Sequence, residues 1–365
     1  MTESTGLDSA QQIIQLMEQC VELEASDLHL SAGLPATYRV HGKINQLGEH
    51  HYSADEVQGM ADALLNDKHR EHFARHLTLD MGYTTPKGFR YRVNLYREMG
   101  NCALAIRYLD GSLKTTRELG LPTQISYLTG LKSGLVLVCG ATGSGKSTTL
   151  TAILNDINEA QEKHILTVED PVEFVHANIR SIVHQRELYT DVPDFASAVK
   201  AALREDPDVI MVGEMRDLDT MRTAITAAET GHLVFSTLHT NDAVGVVERL
   251  IGSFPGNEQA VARQRIAHAL KAVIAQNLVP TADGSGRVVA AEILMVTKAV
   301  ANLIESAKSN QIYSVMESSA RQGMQTLDQA LARLVRARQI TLESARALCR
   351  DPGSFERLIR GGAAK

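Results

Sequence analysis

The chain has 365 residues, and at roughly 100–200 residues per domain that length argues for two domains, or for one large domain with an appended module. With 37 Lys+Arg against 43 Asp+Glu the formal charge is −6, and aromatics make up 4% with no Trp, which together count against a track of DNA, RNA or anionic lipid. No run approaches the ~18 apolar residues of a membrane span, the start MTESTGLDSAQQ lacks the apolar stretch of a secretory signal, and a cytosolic location is expected.

In chain order, Ile13, Ile14, Leu16, Met17, Cys20, Val21 and Leu23 recur at helical spacing and predict an amphipathic helix over 9–24. LHLSAGLPATYRVHGKINQL follows as two short strands broken at Gly33 and Pro35, with Gly42 and Lys43 as turn residues. Helices are expected from about Ser53 to Leu65 and from about Asp67 to His76, then strands over 79–109 around Pro86-Lys87-Gly88. In FRYRVNLY, Phe89, Tyr91, Val93 and Leu95 alternate with Arg90, Arg92, Asn94 and Tyr96, so one face is apolar and the other carries arginines. Residues 1–110 thus form an α+β module, and turn-rich 111–130 reads as a linker.

Beyond it, over 131–365, Leu135–Cys139, Ile165–Val168, Val209–Val212 and Leu233–Leu238 are short apolar runs separated by helical stretches, the pattern of strands buried on both faces of a parallel sheet. The tail adds a helix with Leu327, Leu331, Leu334 and Val335 on one stripe, and a further one capped by Thr341 that stops before Asp351-Pro352-Gly353. Cys20, Cys102, Cys139 and Cys349 form no C-x-x-C pair and read as reduced thiols, not a zinc site.

Gly140-Ala141-Thr142-Gly143-Ser144-Gly145-Lys146-Ser147 fits G-x-x-x-x-G-K-[ST] between a strand and a helix opened by Thr148. The glycines let backbone N–H groups turn toward phosphate oxygens, Lys146 reaches the β/γ-phosphates, and Ser147 can ligate Mg²⁺, which makes ATP the expected ligand. Glu214 leaves the strand DVIMVG and can hold Mg²⁺ through water or orient the nucleophile; Glu169 leaves ILTV. His232 and His239 bracket LVFSTL. His69, His72 and His76, spaced i, i+3, i+7 without carboxylate or cysteine company, read as a solvated helix face. Arg90, Arg92, Arg97 and Arg107 are either a charged outer sheet face or, in a ring, fingers directed at a neighbour's nucleotide.

GATGSGKSTT, TVEDPVEFVH, LREDPDVIMVGEMRDLDT and AAETGHLVFSTLHT occur in the order Walker A, Asp box, Walker B and His box, and SDLHLSAGLP, FRYRVN and GMQTLDQAL extend the likeness over nearly the whole chain. The set resembles the secretion ATPases of type IV pili and type II secretion (GspE/PulE superfamily), most of all the PilT/PilU-type pilus retraction ATPases. That resemblance implies an N-terminal PAS-like domain and a RecA-like ATPase domain in a homohexameric ring, cytoplasmic and peripheral at the inner membrane, acting on an inner-membrane platform protein, alone or with a paralogous pilus ATPase. It assigns Gly143, Gly145, Lys146, Ser147 and Thr148 to Walker A, Glu169 to the Asp box, Glu214 to Walker B as catalytic carboxylate, His232 and His239 to the His box, and Arg92 and Arg107 to nucleotide-directed arginines. Pilus-extension and type II secretion relatives usually carry a further N-terminal region and a tetracysteine module; this chain starts about 25 residues before SDLHL without C-x-x-C pairs, so retraction is the expected branch, as main or accessory motor. Ala301 and Glu305 stand where retraction members commonly have arginines. Extension or type II secretion, a nucleic-acid translocase and a non-hydrolytic nucleotide-sensing scaffold are the competing functions.

Overall fold

The computed structural model describes residues 8–361; the first seven residues of the stretch read as lacking a secretory signal lie outside the described residues. Its chain is a mixed α/β fold of two compact units, one running up to Ser112 and gathering in Val168–Val175 and Gln185–Asp194, the other taking Leu113–Thr167, His176–His184 and the chain from Phe195 onward.

The first unit opens with α1 (Ser9–Glu22), which buries Ile13, Leu16, Met17 and Cys20 as its spacing predicts. There follow β1 (Ala25–Leu30), β2 (Ala36–Val40), β3 (Lys43–Leu47), α2 (Ala54–Leu64), α3 (Asp67–His76), β4 (Thr78–Thr84), β5 (Arg90–Glu98) and β6 (Asn101–Leu109), in an antiparallel sheet ordered β3-β2-β1-β6-β5-β4. Where two strands are expected before residue 50 there are three. β3 is an edge strand whose residues are almost all exposed, so it carries no apolar alternation to read. Ser53 and Glu56 close a capping box at the start of α2. Tyr91, Val93 and Leu95 are fully buried, as their alternation implies. The hydroxyls of buried Tyr38 and Tyr91 donate to the Leu16 and Met17 carbonyls at 3.1 and 2.7 Å, which fixes α1 on the sheet.

The second unit contains β7 (Gly134–Cys139), α4 (Lys146–Ala160), the first parts of β8 (His164–Glu169) and β9 (Ile182–Glu187), α5 (Phe195–Ala202), β10 (Val209–Val212), α6 (Leu218–Glu229), β11 (Leu233–Leu238), α7 (Ala243–Gly252), α8 (Gln259–Ala269), β12 (Leu270–Pro280) and β13 (Arg287–Met295). The sheet order is β13-β12-β7-β11-β10-β8-β9, with β12, β7, β11 and β10 mutually parallel and β13 antiparallel to β12. Leu121, Ile125 and Leu128, inside the stretch read as a linker, are buried in this unit's core. The tail comprises α9 (Lys298–Glu305), α10 (Ile312–Ser318), α11 (Leu327–Arg336), α12 (Leu342–Leu348) and α13 (Pro352–Gly361). α12 stops before Asp351 as expected, but Pro352 opens another helix, a position that needs no backbone N–H. All four cysteines are free thiols. No helix among the described residues is long and apolar enough to cross a membrane.

Candidate active site

β7 is buried along its whole length between β11 and β12, and its last residue, Cys139, delivers the chain to the phosphate loop at the carboxyl edge of the parallel strands. Gly140, Gly143 and Gly145 adopt φ of 145°, 78° and 88°, values that favour glycine. At Gly140 a Cβ would also meet Gln276 O and Ser144 Oγ at 2.5 Å, so the loop is shaped for close backbone approach. Ala141, Thr142 and Gly143 are exposed, whereas Ser144 is buried with no hydrogen-bond partner for its Oγ. The Lys146 ammonium lies within the loop, donating to Gly140 O and Ala141 O at 3.0 Å each. Burial lowers the pKa of Lys146, opposed by the Glu214 charge, and a desolvated cation of this kind favours an anionic ligand. α4 starts at Lys146 behind Gly145 with no side-chain cap, so the first-turn N–H groups near Ser147 and Thr148 are available to phosphate oxygens.

Glu214 follows β10 and Gly213, and its Oε2 accepts from Arg216 Nε at 2.7 Å and lies 3.4 Å from His239 Nε2. Two buried hydroxyls set this turn: Ser236 and Thr237 donate to the Val212 and Gly213 carbonyls at 2.7 Å. Lys146, Glu214 and His239 are thereby gathered at the carboxyl ends of β7, β10 and β11. His232 is not. It precedes β11 at the opposite end of the strand, roughly 20 Å away by strand rise, with Nδ1 3.0 Å from Ala227 O. Ser147 and Glu214 offer hard oxygen donors suited to Mg²⁺, and among the described residues no group of three His, Cys, Asp or Glu could cage a metal by itself. Those two features fit an ion that keeps its waters and shares the substrate phosphates.

The remaining candidates lie in the first unit. Glu169 ends β8, where its Oε1 accepts from Gln185 Nε2 at 3.0 Å. Arg92 forks onto Asp80, with Nε at 2.9 and 3.1 Å from its two oxygens, and reaches Glu173 at 3.6 Å. The hydrogen bonds to Asp80 hold the Arg92 pKa above its usual value. Arg107 stands opposite Arg92 in the sheet and donates from Nε to Asp27 at 2.9 Å, its side chain still 63% exposed. Arg90 instead pairs at 2.7 Å with Glu187, whose side chain is 9% exposed. Of the histidine set, His69 is buried against Thr190 Oγ1 at 2.9 Å and His72 stacks on Tyr189 and His76, so α3 does not present the fully solvated face expected of it.

Gln276 escapes a reading by motif, and Thr237, although inside AAETGHLVFSTLHT, is given no role by it. Gln276, wholly buried, donates to Thr149 Oγ1 at 2.8 Å and braces α4 behind the phosphate loop. Their sequence trace is no more than polar residues set into largely apolar strands, Lys271, Gln276 and Asn277 in β12 and Ser236 and Thr237 in β11.

A family model described as "Type II/IV secretion system protein" matches residues 122–347. The "Type IV pilus retractation ATPase PilT" of Pseudomonas aeruginosa is 42% identical over 343 residues, 94% of this chain and 99% of the relative. A "Twitching motility protein" of Neisseria gonorrhoeae is 46% identical over 317 residues, 87% of this chain and 85% of the relative. Among solved structures, the pilus retraction motor PilT with bound ADP matches at a TM-score of 0.86 and 42% identity, covering 94% of this chain and 99% of that one.

Proposed function

Given that the chain belongs to the type II/IV secretion system protein family, we propose that it is an ATPase whose hydrolysis drives type IV pilus retraction, and with it twitching motility. The observation that carries the proposal is the convergence of Lys146 within the glycine-shaped loop and the Glu214–His239 pair on one sheet edge, in a chain that matches a retraction motor nearly end to end. The loop amides and Lys146 bind the triphosphate and draw charge from its β/γ-oxygens as the terminal bond breaks. Glu214, held by Arg216 and His239, accepts a hydrogen bond from the attacking water and orients it in line. Ser147, and Glu214 through water, would hold Mg²⁺, which would supply charge neutralisation there. Glu169 supports metal or water positioning from the Asp box, whereas His232, at the far end of β11, belongs to the His box by motif alone.

The first unit is a PAS-like domain, the second a RecA-like ATPase domain, and six copies form a cytoplasmic ring at the inner membrane, acting on a platform protein, alone or with a paralogous pilus ATPase. Arg92 or Arg107 is the finger for a neighbouring subunit's nucleotide. Lys146→Ala and Glu214→Gln should each abolish phosphate release, with nucleotide binding kept in Glu214→Gln; unimpaired turnover in both would refute the assignment. Deleting the gene should leave cells with more pili and no twitching, whereas bald cells would point to extension. A rate raised by added DNA or RNA would favour a translocase.

A further inference from the structure

Glu292 of β13 is 2% exposed and carries a carboxyl group that hydrolysis as described above does not use. The sheet register puts it in one row with the active loops: Glu292 faces Ala275, Ala275 faces Cys139, and Cys139 faces Leu238. Cys139 is the residue before the phosphate loop and Leu238 the residue before His239. From the far side of that row, Glu292 Oε1 accepts from the backbone N–H of Ala243 at 2.8 Å. Ala243 is the first residue of α7, and Asp242, its N-cap, accepts from Gly245 N at 2.7 Å. The short segment 239–242 is therefore anchored at both ends, by the strand at Leu238 and by Glu292 at Ala243, and it carries the histidine that touches Glu214. Glu292 Oε2 lies 3.4 Å from the N–H of Leu327, the first residue of α11, which helps hold the carboxylate in place from the C-terminal helices. Burial raises the Glu292 pKa, and a carboxyl placed there at such cost, on two helix starts, is placed for its acceptors.

We propose that Glu292 is a positioning residue for hydrolysis, holding the loop that sets His239 against Glu214. The inference rests on the ATPase function proposed above. It is tested on the full-length protein by steady-state turnover, binding of a fluorescent ATP analogue and thermal melting. Glu292→Gln should lower kcat about tenfold with little change in KM or analogue binding, since displacing a catalytic group by a fraction of an ångström costs rate more than ground-state affinity. Ala243→Pro withdraws the same hydrogen bond from its donor side, at a first helical position preceded by an extended residue, where proline is accommodated, and should give the same loss. In a His239→Ala background neither substitution should reduce the rate further. Wild-type kcat in a folded Glu292→Gln or Ala243→Pro protein, or losses that multiply with His239→Ala, would overturn the inference alone. A wild-type chain without turnover would overturn it together with the ATPase function.

Discussion

Replacing Gly82 with alanine tests the clamp that keeps the Glu169–Glu173 segment on the N-terminal sheet. Gly82 lies on β4 opposite Arg92, outside the left-handed region, so the substitution strains no backbone. Its new Cβ would lie 2.6 Å from Glu187 Oε2 and closer still to Arg90 Nη2. A guanidinium can swing aside, and the cost is what it abandons. Arg90 would leave Glu187, its partner at 2.7 Å, and the Val172 carbonyl, to which it donates from Nε and Nη2 at 3.2 and 3.1 Å. Stripping one partner from a buried ion pair costs about 3–5 kcal/mol. Glu187 keeps the Gly82 amide on Oε1 at 2.9 Å, while Oε2 must itself give way to the new Cβ, which brings the expectation to about 2–4 kcal/mol. At about 2–4 °C per kcal/mol the melting transition should fall by roughly 5–15 °C. Circular dichroism melts of the full chain read that shift, and turnover at a temperature where both proteins are folded should also drop, because Val172 lies three residues from Glu169. Adding Arg90→Ala to Gly82→Ala should cost nothing more. A variant that melts within a degree or two of the wild type would show that the Arg90–Glu187 pair does not bear on stability.

Two further perturbations follow from burial. His176 is 8% exposed, and burial depresses its pKa from 6.5 to about 4. A depressed folded-state value means the stability is fully present above pH 6.5 and is lost as pH falls toward 4, by up to about 3 kcal/mol; His176→Phe should flatten that acid limb in melts recorded across the window, and an unchanged slope would count against the buried-histidine account. Thr237→Val preserves volume but removes the donor at 2.7 Å from the Gly213 carbonyl, so it should cost about 1–3 kcal/mol and reduce kcat more than nucleotide binding, measured by melting and by turnover. Full activity there would mean that Glu214 keeps its aim without the Gly213 anchor.

The central strands were legible because burial on both faces writes itself as uninterrupted apolar residues, and Val209–Val212 and Leu233–Leu238 stand in the structure where the sequence places them. β9, β12 and β13 were not. Ile182–Glu187 is an edge strand whose last four residues are all polar, and Leu270–Pro280 follows α8 without a turn residue to separate them, so periodicity alone runs helix into strand. The same logic divides the site. The phosphate loop is legible because its glycines and Lys146 are neighbours in the chain, and Glu214 because a strand ends on it.

The anchoring residues obey a different rule. Glu187 meets Gly82 and Arg90 across 105 and 97 positions of sequence, and Glu292 meets Ala243 across 49. Glu187 ends its strand and Glu292 lies inside one, and the sequence names no partner for either. What separates them from solvated carboxylates is desolvation: a buried carboxylate persists only where donors converge on it, and those donors are mostly backbone amides, which no side-chain pattern encodes. Chemistry that depends on adjacent residues can therefore be read from motifs, whereas the groups that hold the motifs in register become visible only once the sheet fixes which residues share a row. Glu292 and His239 sit on opposite flanks of such a row, and for that reason the hydrogen bond between Glu292 and Ala243 is expected to govern rate while nucleotide affinity stays with the loop at Gly140–Lys146.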